Sequence, residues 1–259
     1  MELLWAVIGR LVAGRDLVIL LLAYWLVTAL AKRRAPAEGL APERVGDAAF
    51  WLGLGAVVGA RLASLLPVWP VYRRYPLDLL RIDAGLSFYG AVVGTLAVAA
   101  WCAWRQRLPL GRTADLFAPY LALGVAFQRA GCLVRGDCFG AVAPPPLGLV
   151  FPGFAQPRYP AELYEAVLAL GFCGLLLLWR ERRRFPGEIG LAFLIGYPLL
   201  RAGVDFFRIN LGGCPTVDQL VSLTVAAMAA AVWLWRRSAG PVTPARCQDH
   251  RVEPNVRRR

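Results

Sequence analysis

Runs of about 20 predominantly apolar residues, recurring between short clusters of arginine, leave a chain almost one way to fold: as helices that cross a bilayer. Seven such runs are legible, at residues 15–31, 48–69, 84–104, 116–134, 161–179, 188–207 and 217–236. The expected fold class is all-α, a polytopic membrane protein of about seven transmembrane helices. The first run is short; it can extend into 1–14, or that segment can lie in the interface. Composition agrees. Hydrophobic residues make up 58% and charged residues 18%, with a mean hydropathy of +0.52, against roughly 45–50% and about 25% in a soluble domain. No repeat or linker divides the chain, so 1–237 reads as one transmembrane domain. Its two longest connections, 70–83 and 135–160, are rich in proline and aromatics and are expected to cap or coat one face. The polar segment 238–259 reads as a disordered basic tail. Basic residues follow the first apolar run instead of preceding it, so that run reads as a retained anchor and not a cleaved signal.

The formal charge of +12 raises the question of nucleic acid. Nucleic-acid binders gather basic residues on one face or stripe. Here they fall between apolar runs, so no nucleic-acid partner is expected and the charges read as topology signals. Eighteen basic residues flank the runs on one side and eight on the other. That asymmetry places the N-terminus outside and the C-terminus in the cytoplasm. Six cysteines show no CxxC spacing, and the single histidine, His250, lies in the tail. A histidine-based metal site or triad is thereby excluded, and no metal or cofactor is expected.

Three basic residues remain within the apolar runs: Arg61, Arg129 and Arg201. Each costs about 2.5–3.5 kcal/mol at the centre of a spanning helix. Each also lies 13 residues past the start of a run read as going from inside to outside, or ~20 Å at 1.5 Å per residue. All three are therefore expected in the outer half of the membrane. Tyr89, Asp137, Glu162 and Glu165 fall at the same depth. Tyr197, Arg201, Asp205 and Arg208 recur at helical spacing and share one face. Two readings stand. The charges can be buried ion pairs, such as Arg201–Asp205, that lock helices together. Or they form a cationic pocket for an anion, for which arginine's planar fork suits phosphate. A phospholipid headgroup is the obvious anion at that depth.

Several stretches resemble one family. GARLASLLPVWP at 59–70, GLSFYGAVVG at 85–94, RAGCLVRGDCFG at 129–140, YPAELYE at 159–165, GYPLLRAGVDFFR at 196–208 and DQLVSL at 218–223 follow, in order and spacing, the blocks of bacterial prolipoprotein diacylglyceryl transferase. The resemblance covers about Gly53 to Ser222. It implies transfer of a diacylglyceryl group from phosphatidylglycerol, or a similar anionic phospholipid, to the thiol of a prolipoprotein's lipobox cysteine. The products would be a thioether and glycerol phosphate. It further implies that Arg129 and Arg201 bind the lipid phosphate. Gly131, Gly140, Glu165, Tyr197 and Arg208 are kept, and Asp137 and Asp205 stand for acids of the family pattern. Tyr89 and Tyr159 stand where the pattern has histidine, Cys132 and Arg135 where it has asparagine, and Gln128 where glycine is usual.

The chemistry fits these residue types. A free thiol titrates near 8.5, so only a few per cent is thiolate at neutral pH. The acceptor cysteine needs a base, a positive field, or both. With no histidine in the core, Asp137 is the expected proton acceptor, Arg129 and Arg201 the phosphate holders, and Tyr89, a poor base but a good donor, the residue that orients the lipid. Arg61, Gly131, Cys132, Gly140, Glu165, Tyr197, Asp205 and Arg208 complete the expected substrate site. Cys132 can be a small packing residue, and Cys138 can pair with Cys132 or Cys214. The replaced histidine and asparagine keep two alternatives open: a divergent relative acting on another lipid or acceptor, and a lipid-binding protein without chemistry. An anion channel would need charge through both leaflets, and the inner half of each run lacks it.

Overall fold

The computed structural model describes residues 2–65, 69, 87–135, 139–144, 147–151, 154–208 and 217–238. They form seven long α-helices: α1 (Glu2–Arg34), α2 (Pro42–Leu65), α3 (Phe88–Gln106), α4 (Leu110–Arg135), α5 (Ala161–Arg180), α6 (Glu188–Asp205) and α7 (Val217–Ser238). Each expected span falls on one of them, and the boundaries differ for physical reasons. α1 is a single helix instead of a span with a separate interfacial piece. α2 starts at Pro42, a residue suited to a first helical turn because its missing N–H would have no partner there. α3 starts at Phe88, where the Ser87 Oγ accepts the N–H of Gly90 at 3.2 Å. α4 starts six residues before 116, at Leu110, through the polar Arg112, Thr113 and Asp115. A helix needs its backbone bonds, not oil, so hydropathy under-reads polar first turns. Connection 70–83 and the tail beyond 238 lie outside the described residues.

Among the described residues, four helices are long and apolar enough to cross a membrane: Pro42–Leu65, Leu110–Leu133, Ala161–Arg180 and Gln219–Ser238. Gly90–Arg105 is a shorter apolar stretch. Large apolar side chains cover the exterior, including Leu62, Val93, Leu96, Val167 and Leu178. A soluble monomer does not expose so continuous a surface; lipid tails accept it. The chain is a multi-pass membrane protein.

α1 runs antiparallel to α2 and α4, and α2 antiparallel to α3. α1 meets α2 with Tyr24 on Gly53 and Lys32 beside Gly46, and meets α4 with Val27 on Gly124 and Ile19 on Gly131. α2 and α3 approach through glycines. A Cβ at Gly94 would strike the carbonyl of Gly55, and one at Gly59 that of Gly90. The two Gly-x-x-x-Gly faces, Gly55/Gly59 and Gly90/Gly94, let the backbones touch, as small residues do between membrane helices. Gly94→Val is expected to lower thermal stability in detergent by about 1–3 kcal/mol or more, with Gly94→Ala less severe. An unchanged melting curve for the valine variant would contradict this packing.

At the end of the bundle shared by the start of α4, the end of α5 and the start of α6, buried charges fasten the helices. Asp115 is fully buried. Its carboxylate accepts the N–H groups of Gly187, Ile189 and Gly190 at 2.7, 2.8 and 3.0 Å, capping α6 from outside that helix. Arg180 donates to the carbonyls of Asp115 and Leu116 at 3.2 and 3.1 Å. Arg183 lies 2.6 Å from Glu38 and 3.6 Å from Asp115. Arg180 and Arg183, which sequence counting assigns to membrane orientation, thus also hold helices together. Leu116, Phe117 and Tyr120 pack on α1 beside this cluster, and Ala118, Leu176 and Ile189 join α4, α5 and α6.

Candidate functional site

The other end of α4, α5 and α6 carries a second charged cluster. α5 opens at Ala161 after Pro160, so Glu162 and Glu165 sit one turn apart at its start. Glu162 in the first turn also complements the positive end of the helix. Both carboxylates are buried. Arg129 comes from α4, six residues before its end. Tyr197, Arg201 and Asp205 come from one face of α6, and Arg208 from the turn that follows, whose N–H donates to the Asp205 carbonyl at 3.1 Å.

These groups meet. Arg129 Nη1 donates to Glu162 Oε2 at 3.1 Å, and its Nε lies 3.1 Å from Glu165 Oε1. Arg201 Nη1 donates to Glu165 Oε2 at 2.9 Å and lies 3.3 Å from Asp205 Oδ1. The Tyr197 hydroxyl donates to Glu165 Oε1 at 3.0 Å. Arg208 pairs with Glu162, and lies 3.5 Å from both Glu165 and Asp205. Among the described pairs, three guanidiniums therefore meet three carboxylates. Each carboxylate touches at least two cations, which offsets the cost of burying it. Arg129 and Arg201 keep 17% of their side-chain surface exposed and Arg208 keeps 30%. The cations thus retain an open side while the carboxylates have almost none.

Of the two readings, buried ion pairs and a cationic pocket, the described residues show the ion pairs. Arg129 and Arg201 do converge, but they converge on an acid of the protein. Glu165, expected as a substrate contact, is the centre of the cluster. Glu162 was legible as a neighbour at that depth, though its role as partner to both Arg129 and Arg208 was not; the signal was its position three residues from Glu165 on a helix start. The i, i+4 pair Arg201–Asp205 forms as its spacing predicts.

The remaining expected residues take different places. Arg61 is half-buried on α2, two residues past Gly59, while the described ion pairs of the cluster come from α4, α5 and α6. Gly131 is buried where α1 crosses, with Ile19 against it. Cys132 is buried in α4, about one turn from Arg129. Gly140 lies between Tyr159 and Phe207: its N–H donates to the Tyr159 carbonyl at 2.8 Å, and its carbonyl accepts Arg158 Nη1 at 3.3 Å. A side chain there would collide with both neighbours. Asp137, Cys138 and Cys214 lie outside the described residues, as do the side chains of Tyr89 and Arg135. The described parts of connection 135–160 fold over this end. Val142 and Leu149 each bridge Arg158, whose guanidinium stacks 5.1 Å from Phe139 and 4.3 Å from Phe154. The N–H of Ala141 donates to the Phe207 carbonyl at 3.0 Å, tying this fold to the end of α6.

Comparison with known proteins returns one consistent match. The family model described as prolipoprotein diacylglyceryl transferase matches residues 17–235. A protein of Geobacter sulfurreducens named phosphatidylglycerol–prolipoprotein diacylglyceryl transferase is 33% identical over 231 residues, covering 85% of this chain and 88% of its own. Relatives of the same name from Rhodospirillum rubrum and Chromohalobacter salexigens are 34% and 35% identical, over 86% and 87% of this chain and the same shares of theirs.

Proposed function

Because the chain belongs to the prolipoprotein diacylglyceryl transferase family, we propose that it transfers a diacylglyceryl group from phosphatidylglycerol, or a similar anionic phospholipid, to the lipobox cysteine thiol of a prolipoprotein. A bond forms between the thiol sulfur and the diacylglyceryl group's terminal carbon as that carbon's bond to the phosphate oxygen breaks. The thiol loses its proton, and glycerol phosphate leaves. The observation that carries this reading is the meeting of Arg129 and Arg201, from two helices, on one anionic group at 3.1 and 2.9 Å. Charge builds on the phosphate oxygen as it departs, and fixed cations at that point lower the barrier. In this reading Arg129 and Arg201 hold the phosphate, Asp137 takes the thiol proton and Tyr89 orients the lipid. Arg61, Gly131, Cys132, Gly140, Glu165, Tyr197, Asp205 and Arg208 shape and hold the site.

The same reading places the protein in the bacterial inner membrane, with the N-terminus outside, the C-terminus in the cytoplasm, seven crossings and the site toward the outer leaflet. Residues 1–237 form its single transmembrane domain and 238–259 its cytoplasmic tail. Tyr89 and Cys132, standing where the family pattern has histidine and asparagine, favour a second reading: a divergent member acting on another lipid or acceptor, or binding lipid without transfer. Mass spectrometry of a lipobox peptide incubated with the purified protein and phosphatidylglycerol separates the two. The expected product carries one diacylglyceryl group on cysteine. An unmodified peptide, with lipid still bound by the protein, would replace the first reading by the second.

A further inference from the structure

The cations assigned to the phosphate already hold an anion. Glu165 receives Arg129 Nε at 3.1 Å, the Tyr197 hydroxyl at 3.0 Å, Arg201 Nη1 at 2.9 Å and Arg208 Nη2 at 3.5 Å. Of its neighbours on α5 and α6, Glu162 takes Arg129 Nη1 and Asp205 shares Arg201 Nη1 with it. A carboxylate and a phosphodiester present the same face to such donors: one negative charge spread over two terminal oxygens. The two cannot share Arg129 and Arg201 without mutual repulsion. Resting on the transferase reading above, we propose that the Glu165 carboxylate is a resident stand-in for the lipid phosphate, and that the headgroup enters by exchanging with it for Arg129 and Arg201.

The network contains what an exchange needs. Glu165 is fully buried, so its carboxylate cannot retreat into water, and an uncompensated buried charge is strongly unfavourable. Arg208 is the receiving cation. Its Nη2 already lies 3.5 Å from Glu165 Oε2, and it is the most exposed of the three arginines. Moving onto Arg208, whose Nη2 Glu165 would share with Glu162, requires a small displacement and leaves Arg129 Nε and Arg201 to the phosphate, while Glu162 keeps its contact with Arg129 Nη1. Empty, the site remains assembled because Glu165 bridges α4 and α6. Occupied, the phosphate takes over that bridge. The cost is affinity: a ligand that binds only the exchanged state has its apparent affinity reduced by the fraction of protein in that state.

The test is calorimetric titration of the full-length protein in detergent micelles, at low salt, with short-chain phosphatidylglycerol and separately with inorganic phosphate. Glu165→Gln removes the competing charge, and is expected to bind the lipid about tenfold more tightly than wild type. Glu162→Gln removes the same charge from the same network without freeing both Arg129 and Arg201, and should tighten binding much less. Tightening with both ligands supports exchange driven by the phosphate alone, and tightening with the lipid only supports exchange that also needs the glycerol. Equal effects of the two variants would reduce the result to bulk charge and overturn the exchange. So would unchanged or weaker binding by Glu165→Gln while wild type binds the lipid, an outcome that leaves the transferase reading intact. A wild type that binds neither ligand sinks both. If Glu165→Gln fails to assemble, infrared difference spectra of wild type with isotope-labelled glutamate answer the same question. Lipid addition is expected to shift carboxylate bands, and unshifted bands would overturn the proposal.

Discussion

Arg129→Gln is expected to reduce diacylglyceryl transfer by about 10²–10³-fold, the usual effect of removing one charge-stabilising donor from a site. Glutamine retains a hydrogen-bonding amide but not the charge, and it cannot span two acids as the guanidinium does with Glu162 and Glu165. Lysine restores charge as a single point. Arg129→Lys should therefore recover only part of the loss, because a planar fork has been replaced by one ammonium. The variant also leaves two buried carboxylates short of a partner, and breaking such a pair costs about 3–5 kcal/mol. Arg201 and Arg208 remain beside them, so the lower part of that range is expected. Thermal melting in detergent measures the stability loss and the peptide assay measures the rate. Activity near wild type in Arg129→Gln would remove the phosphate-holding role from this residue.

The second large effect lies at the opposite end of the helices. Asp115→Ala strips the acceptor from three backbone N–H groups at the start of α6 and an acid from beside Arg183. Each buried donor left unsatisfied costs about 1–3 kcal/mol. With partial relaxation, the expected loss is about 3–5 kcal/mol, or a fall of roughly 10 °C in melting temperature for a chain of this size. Asp115→Asn keeps one accepting oxygen but turns an amide N–H toward backbone donors, so it should recover only part of the loss. Scanning calorimetry of the two variants in the same detergent checks the order. An alanine variant as stable as wild type would mean that α6 does not depend on this cap.

Much of this arrangement is legible in sequence because membrane helices report themselves through oil. The described part of each apolar run lies on a helix, and four of those helices are long and apolar enough to cross a membrane. The face shared by Tyr197, Arg201, Asp205 and Arg208 follows from spacing alone. What periodicity cannot report is how a charge is neutralised across helices. Arg129 has no nearby acid within its own helix, and its partners stand 33 and 36 residues away on α5. The tertiary fold alone sets that pairing. For the same reason Asp115 escaped notice. It is one acid near the start of an apolar helix, and its partners are backbone groups, which carry no sequence signature. Arg180 and Arg183 look like topology charges because a loop arginine and a buried clamp are the same residue type at the same place in the chain.

The account rests on Arg129 and Arg201 gripping a phosphate together. Phosphorus NMR of short-chain phosphatidylglycerol, titrated with the full-length protein in micelles, reads that contact at the atom concerned. Wild type should shift and broaden the resonance, and the double variant Arg129→Gln Arg201→Gln, once shown to be folded, should leave it where empty micelles do. An equal shift with both proteins would contradict the account.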